Sequence, residues 1–121
     1  MLGDDHHVKL TDHEVLPVLD YIESYWSTLT RQKTEEHSTL IPLPNPYIVP
    51  SADGNRFTFE EQYYWDTFFV SLGIDDEKLV CGMLDNLLHL FNTFGLIPNG
   101  NRYYLTSRSQ PPILTPLIFH I

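Results

Sequence analysis

Between Asp76 and Gly95 the apolar residues Leu79, Val80, Met83, Leu84, Leu87, Leu88, Phe91 and Phe94 return at intervals of three and four, the period that gathers them along one face of an α-helix. Asp75 or Asp76 stands where an N-cap is needed, and Gly95 stands where the chain leaves the helix in a left-handed conformation. A helix with so broad an apolar face must be covered by neighbours, so this stretch demands packing partners.

The flanking sequence supplies candidates for those neighbours. From Thr11 to Arg31, residues Val15, Val18, Leu19, Ile22, Trp26 and Leu29 keep the helical spacing, and Thr11 and Glu14 have the spacing of a capping box. Pro17 lacks an N–H, which places the start of the regular helix at Leu16 or Pro17. Residues 38–55 carry four prolines and read as an extended connection. Its content of Ile41, Leu43, Tyr47, Ile48 and Val49 is too apolar for a disordered linker, so it should pack on something. An aromatic-rich stretch follows, helical from Tyr64 to Leu72 and stopped by Gly73. Ser109, Pro111 and Pro112 then open a last segment, ILTPLIFHI, with no cap, no polar face and no stop signal. The chain therefore reads as a truncated domain with an N-terminal helix region at 1–37 and its main part at 38–121.

Charge narrows the function. In 121 residues there are 16 carboxylates and 7 basic side chains, a net charge of -9, which argues against nucleic acid as a partner. All 16 carboxylates precede residue 87, and the last 35 positions carry only Arg102 and Arg108 as charged residues. The single Cys81 excludes an internal disulfide and gives no zinc pattern. The start MLGDDHHVKL lacks the build of a secretory leader, and no apolar run approaches membrane-spanning length, so a cytoplasmic, membrane-free protein is expected.

Four groups of residues bear on chemistry. Asp4, Asp5, His6, His7 and His13 lack metal-ligand spacing and read as a solvated terminus, so no metal is expected. Cys81, beside Val80 and Met83, reads as a buried structural thiol. In EEQYYWD, Glu60 and Glu61 read as exposed residues near a helix start, and Asp66 as a hydrogen-bonding group for a ligand or the backbone. Catalysis by this cluster would need aromatic walls to separate the carboxyl pKa values. The loop holding Asn99, Gly100, Asn101, Arg102, Ser107, Arg108, Ser109 and Gln110 is rich in donors and free of carboxylates. It suits either a polyhydroxylated ligand beside Trp65 or the satisfaction of its own backbone.

PLPNPYIVP, GNRF, YYWDTFF and GLIPNGNRYYLTSRSQPP, in that order, resemble the N-terminal portion of the trehalase family of glycoside hydrolases over roughly residues 38–115. The resemblance implies part of an (α/α)6 toroid and, for a complete enzyme, inverting hydrolysis of trehalose to two glucose molecules without a cofactor. It also implies substrate contacts from Arg56, Trp65, Asp66, Asn99, Arg108, Ser109 and Gln110, with the catalytic acid and base belonging to later motifs. This chain would then contribute substrate-binding loops and rely on the remainder of the toroid as its partner, inactive alone. The alternative is a noncatalytic fragment that binds trehalose or glucose, or assembles with a second chain. Two departures from the family pattern stand out: SADGN follows Pro50, and FTFEEQ lengthens the step from Arg56 to Trp65.

Overall fold

A computed structural model describes residues 11–52 and 59–121. Helix α1 spans Asp12–Leu29, α2 Tyr64–Gly73, α3 Glu77–Phe94 and α4 Leu114–His120. Two short strands, β1 (Thr30–Arg31) and β2 (Tyr47–Ile48), pair antiparallel with Thr30 opposite Ile48 and Arg31 opposite Tyr47. The architecture is an all-α one, as expected of a fragment of a trehalase-type toroid.

Helix α3 is the centre. The Asp76 carboxylate accepts from the Leu79 N–H at 3.0 Å, and Gly95 closes the helix at φ 78°, as the sequence dictates. Met83 and Leu90 pack against Ile41, Leu43, Tyr47, Ile48 and Val49, while Val80 and Leu87 face Tyr64, Ile97 and Leu117. One wide stripe thus serves two apolar clusters, and burying a side chain such as Leu87 contributes about 1.5–3 kcal/mol.

The proline-rich connection is ordered by a period of two. Ile41 donates its N–H to Asn101 O at 2.8 Å, Leu43 to Lys33 O at 2.8 Å, and Asn45 to Asn86 Oδ1 at 3.0 Å. Pro42, Pro44 and Pro46 occupy the intervening positions, where no donor is used. The prolines therefore stiffen the segment without costing it hydrogen bonds, and the residues between them fill the core.

Four expectations need correction. Helix α1 starts at Asp12, before Pro17, because the Glu14 carboxylate takes up the Thr11 N–H at 3.0 Å and Pro17 lies on an exposed turn where water can satisfy the freed carbonyl. Helix α2 includes Gly73 and leaves through Ile74 in extended conformation, which seats Ile74 against both clusters. Helix α4 starts only at Leu114, where its first N–H reaches the Tyr64 hydroxyl at 3.1 Å. Cys81 is half-buried, one position off the buried stripe.

Candidate functional site

Helix α2 begins with Tyr64, Trp65 and Asp66, and its first N–H groups need acceptors from elsewhere. Asn99 O accepts from the Tyr64 N–H at 3.0 Å, and Gln110 Oε1 accepts from the Trp65 N–H at 3.0 Å. An isolated antiparallel bridge joins Tyr63 to Gly100. The arch from Asn99 to Gln110 is closed at its base by Asn99 N–H donating to Arg108 O at 3.0 Å, and stiffened by a 3-10 turn at Tyr103–Leu105. The Trp65–Asp66 pair and the Asn99–Gln110 arch, 33 positions apart at their nearest, thus meet at one helix end.

Three polar groups there have no protein partner among the described residues. Asn99 Oδ1 is buried without a donor, an arrangement that costs about 1–3 kcal/mol until a donor arrives. The half-buried Asp66 carboxyl has its pKa raised by desolvation. The Arg108 guanidinium is exposed, as is Ser109, whose hydroxyl donates to Gln110 O at 3.3 Å. Trp65 is 39% exposed and meets Phe69 edge to face with centroids 5.7 Å apart, so part of the side chain is open to solvent. Arg56 lies outside the described residues.

Glu60 and Glu61 do not sit in solvent, contrary to the sequence expectation. Glu61 is buried, 3.5 Å from the Arg102 guanidinium; its carboxylate accepts from the Glu60 N–H at 2.7 Å and the Tyr63 hydroxyl at 3.2 Å. Burial, with Glu61 adding to it, pushes the Tyr63 hydroxyl up to about 12. Glu60 lies 3.4 Å from both Arg31 and Lys33. Those basic partners come from distant segments, which local sequence could not place. Both glutamates are thereby occupied in ion pairs.

Sequence reasoning missed Gln62 and Asn86 and took Asn101 only as one donor of the loop, whereas the three form a buried group of amides behind the arch. Gln62 donates through Nε2 to Met83 O at 2.9 Å and Thr67 Oγ1 at 3.1 Å, and accepts from Asn86 at 3.0 Å. Asn101 Oδ1 accepts from the Gln62 N–H at 2.8 Å, and its Nδ2 donates to Ile41 O at 2.8 Å. One signal was available: Asn86 interrupts the apolar stripe of α3 between Met83 and Leu90. Among the described residues, no group of three or more His, Cys, Asp and Glu side chains is placed to hold a metal ion, and no helix is long and apolar enough to cross a membrane.

A groove of about 530 Å³ lies elsewhere, between Trp26 on α1, Asn45 and the turn at Asp75–Asp76, and shares no residue with the candidate set. The chemistry favours the α2 end over this groove, because the segments that carry an unpartnered carboxyl, a buried amide oxygen and an exposed guanidinium are hydrogen-bonded to each other there.

The family model for trehalase matches residues 4–121. The chain belongs to the trehalase family. Among curated relatives, the periplasmic trehalase of Pseudomonas aeruginosa is 46% identical over 103 residues, covering 81% of this chain and 18% of that protein. The periplasmic trehalases of Shigella flexneri and Xanthomonas campestris are each 44% identical over 104 residues, covering 82% of this chain and 18% and 17% of theirs. The chain spans under a fifth of the length of these relatives. Their names overturn the cytoplasmic expectation. That expectation rested on a lone cysteine and on the character of the first residues, and a lone cysteine is compatible with any compartment.

Proposed function

We propose that this chain supplies sugar-binding loops of an inverting α,α-trehalase-type glycosidase acting in the periplasm. The observation that supports the reading is the pair of hydrogen bonds from the Tyr64 and Trp65 amides to Asn99 and Gln110, which joins the two segments at the start of α2.

A glucosyl unit fits their chemistry. Its apolar face lies on Trp65, its hydroxyls donate to Asp66 and Asn99 Oδ1, and Arg108 donates to its oxygens. Ser109 and Gln110 complete the rim, and Arg56 belongs to the same set. These residues bind and orient. Hydrolysis requires an acid to protonate the bridging oxygen and a carboxylate base to activate water, about 6.5–9.5 Å apart, and these are assigned to the remainder of the toroid. Holding the sugar against that pair lowers the barrier through positioning.

The test is to combine the chain with a polypeptide carrying the rest of a trehalase and measure glucose released from trehalose. Restored release that falls at least tenfold with Trp65→Ala, Asp66→Asn or Arg108→Ala supports the reading, since each removes a contact to the sugar. Release indifferent to all three overturns it. Trehalose binding without release makes the chain a noncatalytic sugar-binding fragment.

A further inference from the structure

Asn101 touches no open surface, yet it joins three segments. It is fully enclosed, accepts from the Gln62 N–H, donates to Ile41 O, and through its own backbone carbonyl accepts from the Ile41 N–H at 2.8 Å. Gln62 lies two positions before α2, and Asn99 lies two positions before Asn101. A single side chain therefore fixes the start of α2 against the beginning of the arch, with the proline-rich connection as the base.

We propose that Asn101 is a positioning residue that sets the register between the Trp65–Asp66 pair and the Asn99–Gln110 arch. Of the two bonds that bring the site together, Tyr64 N–H to Asn99 O lies two positions from the Asn101–Gln62 bond along both segments, and Trp65 N–H to Gln110 Oε1 follows it along α2 and ties in the far end of the arch. Gly100, between Asn99 and Asn101, passes close to the Tyr63 ring, 3.2 Å from where a Cβ would stand, and pairs with Tyr63 through an antiparallel bridge. Losing the side chain leaves the Gln62 N–H and Ile41 O buried without partners, and the arch is then free to shift against α2.

Asn86 is the control. It is equally enclosed and belongs to the same group of amides, but it bonds Asn45 and the Gln62 side chain rather than the arch. In the 121-residue chain, hydrogen exchange at the Tyr64 and Trp65 amides should speed up about tenfold in Asn101→Ala, as for one lost hydrogen bond, and change less than about twofold in Asn86→Ala after correction for global stability. Equal effects of the two variants, or no effect of Asn101→Ala, overturn the proposal.

Asn101→Asp decides the matter if the alanine variant does not fold. A protonated carboxyl keeps an acceptor for the Gln62 N–H and a donor for Ile41 O, lacking only the amide's second N–H, which bonds the Tyr47 hydroxyl, and an ionised one offers acceptors only. Protection of the two amides relative to wild type should therefore recover as pH falls through the range in which that carboxyl protonates, and no recovery overturns the proposal. The sugar arm rests on the proposed function and uses the chain combined with a polypeptide carrying the rest of a trehalase: trehalose affinity should fall at least tenfold in Asn101→Ala and less than about twofold in Asn86→Ala. Absence of trehalose binding by that wild-type combination would remove the proposed function, while the exchange data would still decide the register.

Discussion

The backbone N–H of Trp65 donates to the side-chain oxygen of Gln110, 45 positions later, at 3.0 Å. A long-range side chain here does the work that a local cap does at α3, since Tyr63 gives α2 no side-chain cap. Gln110→Ala should cost about 1 kcal/mol, the usual worth of a helix cap. Gln110→Glu should keep most of that stability, because it retains an acceptor and places negative charge at a helix N-terminus. Urea unfolding midpoints compare the two.

The surroundings of Asp66 favour its neutral form more than water does. Desolvation raises its pKa above the ordinary 3.8, so the folded chain binds that proton more tightly than the unfolded chain. The resulting stability is present below pH 3.8 and is lost as pH climbs through the raised value. The stability of wild type relative to Asp66→Asn should fall over that interval, leaving the variant the more stable of the two at neutral pH. Thermal unfolding of both proteins across pH 3 to 7 would show it, and a flat difference would contradict the cause assigned to the shift.

Glu61 and Arg102 have side chains only 7% and 19% exposed. Removing one member leaves the other charge without compensation, so Glu61→Ala should cost about 3 kcal/mol. The double variant with Arg102→Ala should cost less than the sum of the two single losses, measured as a coupling free energy in urea. Glu60→Ala, where the carboxylate itself is 31% exposed and the partner Lys33 42%, should cost no more than about 1 kcal/mol.

Two glycines separate backbone strain from crowding. At Gly95 nothing lies within 4 Å of an added Cβ, but φ is 78°, so Gly95→Ala should cost about 1–2 kcal/mol through the backbone alone. Gly100→Ala drives a Cβ against the Tyr63 ring, which the Glu61 bond and an edge contact with Phe59 restrain. Overpacking of about 1–3 kcal/mol is expected there, together with a changed chemical environment at Tyr63 readable by NMR.

The parts of the fold written in local chemistry were legible. Helix α3 announced its period, a cap at Asp75 or Asp76 and its Gly95 exit within 20 residues, and the resemblance singled out Trp65, Asn99 and Gln110, whose segments hydrogen bonds join at α2. The β1–β2 pairing left no pattern, because two-residue strands are too short to alternate. Glu61 looked like surface because its cation lies 41 positions away. Pro17 misled the start of α1, since proline removes one bond but does not forbid a helix whose freed carbonyl can reach water. Asn101 read as one polar loop residue among several, and only the three-dimensional path of the chain shows that it faces inward.

Helix α1 has no fully buried residue, and Leu16, Val18, Leu19, Tyr21 and Ile22 are between 44% and 63% exposed. The same chain carries a net charge of -9, so mutual repulsion and apolar attraction oppose each other when two molecules meet. Added sulfate weakens the first by screening and strengthens the second by exclusion from protein surfaces. Handling in dilute buffer and handling in concentrated salt should accordingly yield different states of association from one unaltered polypeptide.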